Sequence, residues 1–282
     1  MPLVQMMLVL LLWLPMTPST VRAAEERHTR VELVCGQKSI QPGDVFTVAL
    51  RMSMDKGWHT YWRNPGDSGL PTELEWDLPE GFVAGELQWP VPEEIGSEES
   101  LSYGYENEVL LLCDLHAPDS LIPGDKVTLK ATATWLECQE ACLPQETGLS
   151  LRLKVRDEAP RSNKRWAKAI AAAAQTVPLP ATGWTLTAQQ TEQGYRIEGV
   201  ARDGSRLPER LRFLPGDGGI IDHGAAQTLT LTPGGFTLDL RRSVYATEAP
   251  DRLQGILVAG DSREDSSAAH GMSIDLELTH TH

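Results

Sequence analysis

The sequence predicts an all-β protein: two immunoglobulin-like antiparallel β-sandwiches joined by a short helical connector. Three observations lead there. Short segments of alternating apolar and polar residues recur through both halves of the chain. Turn signals built on Pro and Gly separate them at close intervals, as in a sandwich. Helical periodicity is confined to one stretch near the middle.

The first element is an export signal. Leu8 to Leu14 is a short apolar run followed by Pro15, Pro18 and Ser19, and Val21-Arg22-Ala23 offers small residues for signal peptidase. A signal peptide over residues 1–23, cleaved after Ala23, is expected. The run is too short and too broken by proline to span a bilayer, and no other stretch approaches the roughly 20 apolar residues a spanning helix needs. Cleavage leaves 259 residues, and the formal charge of −14 becomes −15 because only Arg22 is lost. So acidic a surface argues against nucleic acid or anionic lipid as partner.

The mature chain divides into a first sandwich over 24–157, a helical linker over 158–182 and a second sandwich over 183–282. In the first, Val31, Leu33 and Cys35 alternate with Glu32 and Val34, Gln41-Pro42-Gly43-Asp44 turns the chain, and Val45 to Met52 alternates again. Glu73 to Leu78, Val109 to Leu115, Val127 to Leu136 and Leu149 to Val155 follow. They are separated by Pro79-Glu80-Gly81, Ala117-Pro118 and Ile122-Pro123-Gly124-Asp125. In the linker, Ser162 can cap a helix running from Asn163 through the Ala171–Ala174 run, which Val177-Pro178-Leu179-Pro180 ends. The second sandwich reads as seven strands between Trp184 and Leu278, with turns at Asp203-Gly204, Pro215-Gly216-Asp217-Gly218-Gly219 and Pro233-Gly234-Gly235. Gly260 to Gly271 reads as an exposed loop, and His280 and His282 as part of a frayed tail.

Four cysteines in an exported chain allow three disulfide connectivities. Cys138 and Cys142, in Trp135-Leu136-Glu137-Cys138-Gln139-Glu140-Ala141-Cys142-Leu143-Pro144, lie one helical turn apart and can close a small ring. A ring that small removes little chain entropy, so it is a weak staple and a plausible electron carrier. A local structural disulfide is the alternative. Glu137 and Glu140 flank the pair, and no Lys or Arg lies between Ala131 and Leu151; carboxylates there disfavour a thiolate, which points to a reducing type of pair. Cys35 and Cys113 each share a face with apolar neighbours, so they form either a structural disulfide or two buried thiols. Asp222-His223 suits turn formation better than acid/base chemistry, since no nucleophile stands at a recognisable spacing. No phosphate loop, GxSxG, HExxH, metal-type CxxC pair or histidine run is present, so neither a cofactor nor a metal is expected.

Several longer motifs carry a family resemblance. Gly57-Trp58-His59-Thr60-Tyr61-Trp62-Arg63-Asn64-Pro65-Gly66-Asp67-Ser68-Gly69-Leu70-Pro71-Thr72, Gln88-Trp89-Pro90, Tyr103-Gly104-Tyr105-Glu106 and the Trp135–Pro144 segment resemble the periplasmic N-terminal region of DsbD/ScsB-type thiol:disulfide interchange proteins. Phe213-Leu214-Pro215 and Ile220 to Gln227 extend the likeness into the second half, and the cysteine spacing is closer to ScsB-like members than to DsbD. The resemblance implies a periplasmic β-sandwich that shuttles reducing equivalents through Cys138 and Cys142. It would act on a thiol or disulfide protein in cytochrome maturation, disulfide repair or copper tolerance. Set against that resemblance, the sequence is expected to stop where the membrane segment of the long members would begin and to lack their thioredoxin-like domain. The implied electron donor is therefore a separate membrane protein, unless the relay role has been lost. A non-catalytic adaptor with a structural disulfide, and a Cu(I) site on the two thiolates, are the other readings.

Around the pair, His59 and Arg63 can compensate charge if the 57–72 segment folds over it as a loop, with Trp58, Tyr61 and Trp62 shielding the sulfurs. Packing is the alternative role for Trp58 and Trp62, a structural role for His59. Tyr103 and Tyr105 suit either a docking edge or the core.

Overall fold

The computed structural model describes residues 27–202, 209–260 and 270–279. The expected signal peptide, the Asp203-Gly204 turn, most of the Gly260–Gly271 segment and the His280/His282 tail lie outside the described residues.

Strands β1 (Thr29–Cys35), β2 (Ser39–Ile40), β3 (Val45–Met54), β4 (His59–Gly66), β5 (Glu73–Asp77) and β6 (Val83–Ala84) come first. Then follow β7 (Glu93–Ser97), β8 (Ser100–Glu106), β9 (Glu108–His116), β10 (Lys126–Cys138) and β11 (Cys142–Val155). They form two sheets, one in the order β1-β3-β9-β6 and one in the order β2-β11-β10-β4-β8-β7 with β5 added on β10. Alternation in the strands sends Leu33, Val48, Leu50, Leu111 and Leu115 of the first sheet against Trp62, Leu129, Ala131, Ala133 and Trp135 of the second, making one buried core.

The helix is shorter than its sequence predicts. Helix α1 (Ala167–Thr176) begins after Asn163, not at Ser162, and no side chain caps it. Asn163 is held to the end of β1 instead: its N–H donates to the Gly36 carbonyl and its Nδ2 to that of Cys35. The chain can turn helical only beyond that anchor. Nor is α1 merely a connector, because Ile170 packs on Val34, Ala49, Leu110 and Leu112, the outer face of the β1-β3-β9 sheet. That sheet is thus covered on both sides, which explains apolar residues on both faces of β9.

Strands β12 (Leu179–Pro180), β13 (Trp184–Gln190), β14 (Gly194–Ala201), β15 (Leu211–Pro215), β16 (Thr228–Thr232), β17 (Gly235–Arg241), β18 (Arg252–Ala259) and β19 (His270–Thr279) make the second sheet system. Its order is β15-β18-β19-β13-β14-β17-β16, with β12 beside β19. Phe213, Leu253 and Leu257 from one end of this path and Tyr195, Ile197, Phe236 and Leu238 from the other share a core, so the path closes on itself as a sandwich. The opposite faces of β15 and β18 place Leu214, Ile256 and Val258 in the core of the first sandwich. The protein is all-β and immunoglobulin-like, and its two halves meet through apolar side chains.

The alternative of a Cys35–Cys113 disulfide is excluded, because both are free buried thiols. Cys35 pairs in register with Val48 on β3, and Val48 with Cys113 on β9. A whole strand separates the two cysteines, about 9–10 Å at ordinary strand spacing, beyond the bridging limit of roughly 7 Å.

Candidate functional site

The site is the tip of the β10–β11 hairpin. These strands pair continuously from Lys126↔Lys154 to Cys138↔Cys142, leaving Gln139-Glu140-Ala141 as the loop. Cys138 and Cys142 are disulfide-bonded, with Cα atoms 4.2 Å apart. The pair is therefore brought together by a hairpin rather than by the helical turn its spacing suggests: directly opposed residues of antiparallel strands come as close as about 4.5 Å. Cys138 is 3% exposed, whereas Cys142 lies on the surface.

The 57–72 segment is not a loop over the cysteines. Residues 59–66 form β4, which meets β10 at His59↔Cys138 and pairs with β8 on its other side. Along the same edge of β10, Lys130 to Thr134 pair with β5, so β5 and β4 occupy successive lengths of that edge.

Of the expected supporting residues outside the hairpin, His59 and Tyr61 meet the pair. The Tyr61 hydroxyl lies 3.4 Å from Cys142 Sγ, and the His59 ring meets Tyr61 edge-on at 5.3 Å. Burial lowers the His59 imidazole below its ordinary pKa, against the opposing pull of Glu106. Burial raises the Tyr61 phenol, partly offset by a hydrogen bond with Ser68. Trp58, half-buried, stacks on His28 with ring centroids 3.8 Å apart.

The remaining candidates point elsewhere. Trp62 is buried in the core, edge-on to Tyr103, and the Arg63 guanidinium lies 5.5 Å over its ring rather than beside the sulfurs. Tyr103 and Tyr105 are core residues, not a docking edge. Tyr105 donates its hydroxyl proton to the Pro90 carbonyl at 2.7 Å, and the Tyr103 hydroxyl meets His223 Nδ1 at 3.1 Å. Asp222 caps a turn by accepting from the Ala225 N–H.

Glu137 differs most from its expected part. Strand alternation puts it on the Trp135 face, away from Cys138. There its fully buried carboxylate accepts from the His28 N–H (2.9 Å), Gln145 Nε2 (3.1 Å) and Trp135 Nε1 (3.4 Å). Only Glu140 remains as an acidic neighbour at the exposed tip.

Two contributors escape sequence reasoning. His28 has no local signal, since Asp55, Trp58 and Glu137, which it meets, all lie far along the chain. Asn64, within Asn64-Pro65-Gly66, reads as a turn residue; yet it is 2% exposed and donates through Nδ2 to the carbonyls of Pro215 (2.8 Å) and Asp217 (3.1 Å). Among the described residues no three His, Cys, Asp or Glu converge as a metal site, and no helix is long and apolar enough to cross a membrane.

The family model described as thiol:disulfide interchange protein DsbD, N-terminal, matches residues 30–154. The fold is similar to the crystal structure of the N-terminal periplasmic domain of ScsB from Proteus mirabilis. The two share 17% identity over 91% of this chain and 96% of that one, with a TM-score of 0.61. A protein of unknown function from Porphyromonas gingivalis W83 aligns over 88% of this chain and 99% of its own, at 12% identity and a TM-score of only 0.25. No curated protein matches the sequence.

Proposed function

We propose that this chain exchanges disulfides with an exported thiol protein through Cys138 and Cys142, a reading supported by the match of residues 30–154 to the DsbD N-terminal family model. The observation that carries the reading is the asymmetry of the pair, with Cys142 accessible and Cys138 buried behind it. The hairpin is paired along its whole length from Lys126↔Lys154 to Cys138↔Cys142, so the ladder behind the ring can hold the scaffold when the S–S bond opens.

Exchange proceeds by thiolate attack on sulfur. A partner thiolate attacks Cys142 Sγ; a new S–S bond forms as the old one breaks, and Cys138 leaves as a thiolate that takes up a proton. The partner's second thiolate then attacks its own sulfur in the mixed disulfide and releases Cys142. Two electrons pass from partner to chain, and the partner leaves oxidised. In the reverse direction, reduced Cys142 attacks a partner disulfide and Cys138 resolves the intermediate. The reading places the chain in the periplasm.

Single-cysteine variants test it. Cys138→Ser leaves the accessible sulfur and should form a mixed disulfide with glutathione disulfide or with the disulfide form of a co-exported thiol protein. Cys142→Ser leaves only the buried one and should react at least about tenfold more slowly, about 1.4 kcal/mol in activation free energy. Equal rates in the two variants, or a wild-type pair that resists reduction in graded glutathione buffers while folded, would return the disulfide to a structural role in an adaptor.

A further inference from the structure

The second sandwich reaches toward the sulfurs through a continuous set of contacts. Asn64 stands where the β4–β8 register breaks between Tyr61 and Gly66. Its Nδ2 donates two hydrogen bonds, to the carbonyls of Pro215, the last residue of β15, and of Asp217 in the loop that follows, and its Oδ1 accepts the Gly66 N–H at 3.1 Å. Both amide protons and the amide oxygen are thus used, a set that only a carboxamide supplies at this length. The Arg63 guanidinium lies over Gly216 in the same loop.

From Gly66 the chain passes to the segment that touches Tyr61. Gly66 has φ of 85°, and a Cβ on it would strike the Leu101 carbonyl. The Asp67 N–H donates to the Leu101 carbonyl (2.9 Å), the Leu101 N–H to Asp67 Oδ2 (2.8 Å), and Ser68 meets Ser102 at 3.2 Å. Gly69, with φ of 110°, lies so close to the Tyr61 ring that a Cβ would overlap it. The ring's hydroxyl ends on Cys142 Sγ.

We propose that Asn64 is a positioning residue through which the second sandwich holds the Tyr61 phenol on Cys142 and so limits attack on that sulfur. The inference rests on the thiol-exchange reading above and gives the second half of the chain a part in it. When the Pro215 and Asp217 carbonyls lose their donor, the 66–70 segment loosens, the phenol is no longer held, and Cys142 Sγ opens to thiols.

The test measures the rate at which dithiothreitol reduces the disulfide in the folded full chain, read by alkylation and mass spectrometry. Asn64→Asp keeps an acceptor for the Gly66 N–H but sets an oxygen against the two carbonyls; it should raise the rate tenfold or more, as should Asn64→Ala. In a Tyr61→Phe background either change should add little, since both act through the phenol. Leu238→Ala, in the second core, should lower stability and leave the rate unchanged. Asn64→Ser stands in, with the same expectations, if Asn64→Asp does not fold. Asn64→Asp at the wild-type rate, or Leu238→Ala raising the rate as much, overturns the inference. A wild-type disulfide that cannot be reduced while folded overturns instead the exchange function itself.

Discussion

At the scale of single residues, four cysteines behave in two ways because their surroundings differ. Cys35 and Cys113 are sealed in a sheet covered on both faces, and burial raises both thiols, Cys113 to about 11 with Asp114 adding to the rise. A thiol that holds its proton longer when folded than when unfolded contributes stability below its unfolded pKa, and that contribution is lost as pH climbs to its folded one. For Cys113 the window runs from about 9 to about 11. Wild type should therefore lose more stability than Cys113→Ala across that window, a difference of order 2 kcal/mol, measured by urea melts at stepped pH. Parallel curves for the two proteins would contradict it. At neutral pH both thiols should stay unalkylated in the native protein, while the Cys142 sulfur reacts once the disulfide is reduced.

At the scale of elements, most strands were legible because alternation and Pro-Gly turns mark them directly. Val45 to Met52, Phe236 to Leu240 and Leu253 to Val258 lie within a residue or two of the observed strands. Strand β4 was not, since Thr60, Tyr61, Trp62 and Asn64 are all buried and leave no two-residue period to read, and Pro65-Gly66 imitates a turn. The Cys138/Cys142 pair was legible as a pair, but its hairpin was not, because spacing alone cannot tell a helical turn from a three-residue loop. For Cys35 and Cys113 the sequence fixes the face but not the register, and register decides the bond. Glu137 shows the same limit: proximity in sequence to Cys138 says nothing once alternation turns it to the other face. The helix was legible in kind and not in purpose, and its purpose can be measured. Ile170→Ala should cost about 2 kcal/mol or more, as buried Ile truncations do, because it uncovers Val34, Ala49, Leu110 and Leu112. The disulfide lies in the other sheet, so its exchange rate should not move. A variant that is as stable as wild type would mean α1 is dispensable packing.

At the scale of the whole molecule, the two sandwiches are chemically distinct yet energetically joined. Strand alternation lets β15 and β18 serve two cores at once, with Phe213, Leu253 and Leu257 facing inward and Leu214, Ile256 and Val258 entering the core that holds Trp62 and Tyr103. Asn64, the Tyr103–His223 contact and an ion pair between Arg212 and Glu94 at 2.8 Å cross the same boundary. Removing the second half would strand these apolar side chains' partners in water at roughly 25 cal/mol per Å² and leave buried polar groups unpaired. The chain should therefore unfold as one cooperative unit rather than as two beads on a linker. Calorimetry of the mature protein should show a single transition whose calorimetric and van't Hoff enthalpies agree, and Ile256→Ala should lower its midpoint as a whole. Two resolved transitions, with Ile256→Ala shifting only one, would mean that the halves fold independently and that the second sandwich exerts no hold on the disulfide hairpin.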